Sequence, residues 1–67
     1  MADTERRRIP LAEAERIAEH RIRTALHRDA RYQNAPTAEA QEAREEEIDL
    51  GVWAEIEREY FIVDAAA

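Results

Sequence analysis

Residues 11–32, LAEAERIAEHRIRTALHRDARY, decide how this chain folds. The stretch is dominated by Ala, Glu, Arg and Leu and contains neither Gly nor Pro, a composition typical of helix. At about 100° per residue its apolar side chains form one stripe. The stripe consists of Leu11, Ala14, Ala18, Ile22, Ala25, Leu26 and Tyr32, with Ile17 at its edge. Because Pro10 suits the first turn of a helix, the pattern predicts an amphipathic helix over residues 10–32.

Residues 33–37, QNAPT, predict a break after this helix. Ala35 precedes Pro36 and is therefore biased away from helical backbone. Either Asn34 or Thr37 can cap a following helix. Since the connection is short, the two flanking helices are expected to be antiparallel neighbours.

A second helix is predicted over residues 37–63. Its first turns are polar nearly all round, and its apolar stripe begins only at Ile48. Gly51 costs about 1 kcal/mol relative to Ala inside a helix, so the sequence leaves open whether it breaks the helix; a continuous or gently kinked helix is favoured. The two stripes together give a predicted core of Leu11, Ala14, Ala18, Ile22, Leu26, Ile48, Val52, Ile56, Tyr60 and Val63.

Leu50 and Phe61 fall on the far side of the second helix from its apolar stripe. In a two-helix monomer they would face water, and an exposed apolar patch usually marks a contact site. Trp53 and Tyr60 lie close by in sequence, and such aromatic residues dominate the energetics of interfaces. We therefore predict a protein interface formed by Leu50, Trp53, Tyr60 and Phe61, although plain core is an equally simple interpretation of the aromatic residues.

The chain has 67 residues and no Cys, so it has a small core and no disulfide to support it. A second copy or a partner is the remaining way to stabilise such a chain. The predicted fold class is accordingly all-α: an antiparallel two-helix hairpin that dimerises into a four-helix bundle. Residues 1–9 are expected to form a flexible basic N-terminal arm, and residues 10–67 a single domain.

Charge is divided unevenly along the chain. Residues 1–33 carry eight Arg and six acids, a net charge of +2, whereas residues 34–67 carry two Arg and ten acids, a net charge of −8. One helix face, comprising Arg16, His20, Arg23 and His27, is a candidate surface for nucleic acid or an acidic partner. An ordinary solvated helix face explains the same pattern. The acidic run 45–49 can pair with the Arg of the first helix or mimic nucleic-acid phosphates.

The sequence offers no motif for catalysis, metal binding or a cofactor. There is no Ser or Cys nucleophile and no Gly-rich phosphate loop, and the two His lie seven residues apart, too far along a helix to share one metal ion. We therefore expect a protein that is not an enzyme and binds no cofactor. No stretch has the length and hydropathy of a membrane span or a signal peptide, which favours a cytoplasmic location.

The layout of a basic N-terminal half and an acidic, aromatic-tipped C-terminal half resembles that of bacterial antitoxins. The resemblance implies DNA binding by the first half and toxin binding by the second. No motif of that family matches residue by residue, so no site is transferred from it. Small phage-encoded proteins that disable a host factor share the same size and composition.

The predicted function is that of a small adaptor or inhibitor that binds a protein partner through its C-terminal aromatic and apolar surface. The alternative is a DNA-binding regulator of antitoxin type that uses the Arg16 and Arg23 face.

Overall fold

A computed structural model describes residues 6–63 of the chain. A short strand β1 (Arg7–Pro10) leads into helix α1 (Leu11–Arg28), which is followed by the single turn α2 (Ala30–Gln33). A long helix α3 (Ala38–Glu59) then leads into the strand β2 (Tyr60–Val63). Helix accounts for 76% of the described residues, so the predicted helical class is confirmed at this level.

The first predicted helix is interrupted at Asp29. This residue has extended backbone dihedrals (φ −87°, ψ 114°) and its side chain accepts a hydrogen bond from the backbone N–H of Tyr32, so it caps the short helix α2. Of the two predicted caps, Asn34 and Thr37, it is Thr37 that caps α3, because its hydroxyl accepts a hydrogen bond from the backbone N–H of Ala40. Helix α3 runs through Gly51 without a break.

The second predicted helix ends earlier than expected, at Glu59, and residues 60–63 form β2 instead. Strands β1 and β2 pair in parallel, with Arg7 beside Tyr60 and Pro10 beside Val63. The prediction of a flexible arm over residues 1–9 is therefore wrong for residues 7–9, because they belong to β1; residues 1–5 lie outside the described residues. Tyr60–Val63 consists of aromatic and β-branched residues, which favour a pleated strand once a neighbour is present.

The buried core is small and lies where the strands meet the helices. It consists of Ile9, Ala14, Ala18 and Ile56. The two alanines allow the other elements to approach α1 closely, and the two isoleucines fill the space between them. Ile17, Ile22, Val52, Trp53, Tyr60 and Ile62 are partly buried against this core.

The core prediction needs two corrections. Leu11 and Val63 are each 40% exposed, although both were expected inside. Leu11 is the first residue of α1, and Val63 lies on the outer face of β2, where the alternation of a strand replaces the helical stripe. The buried position is taken by Ile9, which lies in the segment expected to be a flexible arm.

Candidate interaction surfaces

The four residues predicted to form a protein interface separate into two pairs. Leu50 on α3 is 66% exposed and Phe61 on β2 is 51% exposed. Trp53 and Tyr60 are partly buried and pack against the core. Two of the predicted residues are therefore exposed, while the other two are packed against the interior.

Phe61 lies on the outer face of the two-stranded sheet. Side chains alternate along β2, so Tyr60 and Ile62 point toward the helices while Phe61 and Val63 point away. Its neighbour in the register is Arg8 of β1. This outer face is thus built from residues of both strands, which are far apart in sequence.

Two guanidinium groups lie over the Phe61 ring. The Cζ atoms of Arg6 and Arg8 are 5.4 Å and 5.7 Å from the ring centroid, within the range of a cation–π interaction. Arg6 also donates a hydrogen bond to the backbone carbonyl of Glu57, which ties the start of β1 to the end of α3. These contacts hold an exposed aromatic ring in place and give its surroundings a positive charge.

The contact of Arg6 and Arg8 with Phe61 was not predicted from the sequence. The available signal was the alternation Arg8–Ile9–Pro10, which matches a strand, together with the apolar run Tyr60–Val63. No short-range signal in the sequence links these two segments, because the strands of a parallel pair are separated by a long connection.

An open groove of about 370 Å³ runs between α1 and α3. Apolar side chains of Ile22, Leu26 and Trp53 contribute to its lining. The charged residues of the lining are three acids and one arginine, namely Glu15, Glu19, Glu45 and Arg23. The groove therefore combines apolar and mainly acidic side chains.

Arg21 connects the two long helices on their other side. Its guanidinium donates to Glu55 Oε1 at 3.2 Å and to Glu59 Oε1 at 2.9 Å. The hydrogen bond to Glu59 is the main cause of a raised pKa for Arg21. Pairing between α1 and α3 thus uses acids near the end of α3; within the predicted acidic run, Glu47 pairs with Arg44 of its own helix.

The candidate cationic face lies along α1. Arg16, His20, Arg23 and His27 are all exposed and belong to one uninterrupted helix. Arg23 forms an ion pair with Glu19 at 3.1 Å, as its position four residues later allows. The structure therefore places all four side chains in solvent, with an acid beside one of them.

Asp29 and Arg44 form the most highly connected polar cluster of the described residues. Arg44 donates from Nη2 to Asp29 Oδ2 at 2.8 Å and from Nε to Oδ1 at 3.2 Å, and its Nη1 donates to Glu47 at 2.9 Å. The Arg44 hydrogen bond, followed by that from the Tyr32 N–H, lowers the pKa of Asp29 to about 2. The hydrogen bond with Asp29 also raises the pKa of Arg44. This cluster joins the α1–α2 break to α3.

Within residues 6–63, no three acidic or His side chains converge as a metal site requires. Over the same residues, no helix has the length and apolar character needed to cross a bilayer. No family model matches the chain, and no curated protein or solved structure is significantly similar to it.

Proposed function

We propose that this chain is a small, non-enzymatic interaction module of the cytoplasm that binds a protein partner through its C-terminal apolar surface. The residues proposed for it are the exposed Leu50 and Phe61, together with the partly buried Trp53 and Tyr60. The observation that carries the proposal is the placement of Phe61: a large aromatic side chain, half exposed, is held on the outer face of the sheet by two arginines.

The energetics of recognition favour such a residue as an anchor. A preorganised aromatic ring loses little conformational entropy when a partner covers it. The two guanidinium groups beside it can then form hydrogen bonds with acceptors at the rim of the interface. Leu50, exposed on α3, adds apolar area at a second point.

We further propose that α1 and α3 act as an antiparallel hairpin and that two hairpins dimerise into a four-helix bundle. Two sets of ion pairs support the hairpin. Arg21, within α1, pairs with Glu55 and Glu59 near the end of α3, whereas Asp29, just after α1, pairs with Arg44 near the start of α3. The Cα trace is only 15 Å across its thinnest direction, about the width of one pair of packed helices. Trp53 and Ile22 are left partly uncovered, and a second copy would cover them.

The experiment compares capture of partners from a lysate of the source organism by the immobilised wild type and by Phe61→Ala and Leu50→Ala. We expect both variants to lose the specific partner, with Phe61→Ala the more severe. The matched control is Glu42→Gln, an exposed change elsewhere on α3. Unchanged capture by both apolar variants would show that this surface is not the binding surface.

The second candidate is a DNA-binding regulator that uses the cationic face of α1. The observation that favours it is the exposure of Arg16, His20, Arg23 and His27 along one continuous helix. DNA binding through this face would weaken steeply with salt, because binding releases counterions, and Arg16→Gln/Arg23→Gln would reduce that salt dependence. Absence of DNA binding at low salt would exclude this function.

A further inference from the structure

We infer that the partner bound at Phe61 contributes an acidic peptide segment, whose carboxylates pair with Arg6 and Arg8 while a neighbouring apolar side chain covers part of the ring. The inference rests on the proposed function and adds the chemistry of the partner. It starts from the two guanidinium groups that lie 5.4 Å and 5.7 Å from the centroid of the half-exposed Phe61 ring. These three side chains combine an apolar centre with positive charge.

The two arginines lie on one face of the sheet because of their spacing. Side chains two residues apart along a strand point to the same face, and Arg6, just before β1, follows Arg8 in contacting Phe61. Both arginine residues are exposed. A guanidinium group carries its N–H donors around a planar edge, and a carboxylate accepts two of them in parallel. The ligand group that matches this arrangement is therefore a carboxylate.

Charge at this surface is opposite to that of the chain as a whole. The chain carries a net charge of −6, but residues 6–8 are three consecutive arginines and β2 is uncharged. The acids between residues 39 and 49 lie ten or more residues before the end of α3, about 15 Å or more along the helix axis. This exceeds the Debye length of about 8 Å at physiological ionic strength, so the nearby arginines determine which ligands are attracted.

An open hollow of about 240 Å³ adjoins the ring and is lined by Arg6, Glu57, Tyr60, Phe61 and Ile62. Pockets that hold small molecules usually measure about 300–1,000 Å³, so this smaller hollow suits one apolar side chain of a peptide. Among the described residues, Glu57 is the one acid in the lining. Its backbone carbonyl accepts a hydrogen bond from Arg6, whereas its side-chain charge opposes an acidic ligand.

Nucleic acid is the other polyanion that arginines bind, and this surface suits it less well. Single-stranded nucleic acid stacks its bases on open aromatic faces, whereas guanidinium groups lie over the Phe61 ring. Nucleic acid also carries charge along its whole length, so a strand that extends beyond the arginines meets an otherwise acidic chain. A peptide carries its carboxylates at a few positions, which matches a small basic surface.

The test uses an array of short random peptides probed with the labelled full chain. We expect the bound peptides to be enriched in Asp and Glu and to contain an apolar residue beside them. The strongest binder is then compared by fluorescence anisotropy with a copy in which Asn and Gln replace Asp and Glu. The acidic peptide should bind about tenfold more tightly, because hydrogen bonds between charged groups are stronger than those to a neutral amide.

Substitutions of opposite sign assign this preference to the Phe61 surface. Arg8→Gln should weaken binding of the acidic peptide about tenfold, and Arg8→Lys should weaken it less because it retains the charge without the planar fork. Glu57→Gln should strengthen binding about twofold, because it removes a like charge. Arg16→Gln, an exposed change on α1, is the matched control and should have no effect. Equal helical circular dichroism verifies that the variants fold.

Three results would overturn the inference: no bound peptide or no acidic enrichment on the array, an acidic preference that Arg8→Gln leaves unchanged, or tighter binding of single-stranded DNA than of the acidic peptide. The proposed function fails separately, if Phe61→Ala and Leu50→Ala leave partner capture unchanged. Loss of capture in those variants without any acidic preference would retain the partner surface and reject an acidic partner.

Discussion

The two ends of the α1–α3 pair are held together by different forces. At the strand end, Ile9 and Ile56 are buried with the alanines of α1, and exposed polar contacts of Arg21 and Arg6 with the end of α3 accompany this apolar centre. At the turn end, the contacts are polar: Asp29 caps α2 and accepts from Arg44, and Thr37 caps α3. The comparison shows that a chain with few buried residues can use packing at one end and hydrogen bonds at the other.

The largest expected effect is at the strand end. Ile56 has no exposed surface, so Ile56→Ala leaves a cavity and should destabilise the fold by about 3 kcal/mol. Denaturant unfolding monitored by circular dichroism measures this change. Leu50→Ala on the same helix should change stability by less than about 0.5 kcal/mol because its side chain is mostly exposed. Equal effects of the two variants would show that the strand end is not the apolar centre of the fold.

At the turn end, Asp29 should have the larger effect of the two capping residues. Asp29→Ala removes both the α2 cap and the acceptor for Arg44, whereas Asp29→Asn keeps a capping side chain and removes only the charge. We expect the thermal midpoint to fall in the order wild type, Asp29→Asn, Asp29→Ala. A midpoint of Asp29→Ala equal to that of the wild type would contradict the role of this cluster.

The charge of Asp29 also predicts a pH dependence. Its pKa is lowered from 3.8 in the unfolded chain to about 2 in the folded protein, so folding favours the ionised form. The stabilisation is therefore fully present above about pH 4 and is lost as the pH falls through about 2. The difference in thermal midpoint between wild type and Asp29→Asn should be constant above pH 4 and shrink toward pH 2. A difference that does not change with pH would exclude this contribution.

Loss of the Thr37 cap should destabilise the fold less than truncation of Ile56. Thr37→Ala removes the hydroxyl that accepts from the Ala40 N–H and should cost about 1 kcal/mol, whereas Thr37→Ser should retain most of the stability. Urea unfolding of the three proteins measures both values. Equal losses in the two variants would indicate that the methyl group, and not the cap, is what matters at this position.

The smallest expected effect lies between the two ends. Gly51 is inside α3, its φ is not positive, and a Cβ added there would meet no atom within 4 Å apart from the adjoining backbone of its own helix. Gly51→Ala should therefore stabilise the protein by up to about 1 kcal/mol through helix propensity. A loss of stability would mean that Gly51 contacts a part of the molecule that the structure does not describe. If the wild type is a dimer and this variant has a lower solution mass, that contact is with a second copy.

The sequence by itself determined the helical class and the break between the two long helices, and it limited the cap of the second one to Asn34 or Thr37. Each of these depends on neighbours within a few residues: the 3.6-residue period of α1, the biased backbone of Ala35 before Pro36, and a hydroxyl three residues before the N–H it accepts from. The cap at Asp29 belongs to the same class of local signals, and its residue type alone could have indicated the interruption of the first helix.

Only the tertiary structure determined that residues 7–10 and 60–63 form strands. Tyr60 and Val63 fit the apolar stripe of a helix, and the same short apolar run also fits a strand, so periodicity could not distinguish them. The choice was made by pairing with a segment at the opposite end of the chain, which places Arg8 beside Phe61 and buries Ile9. That pairing has no local signature, because the hydrogen bonds of a parallel ladder exist only when the intervening helices have brought the two strands together.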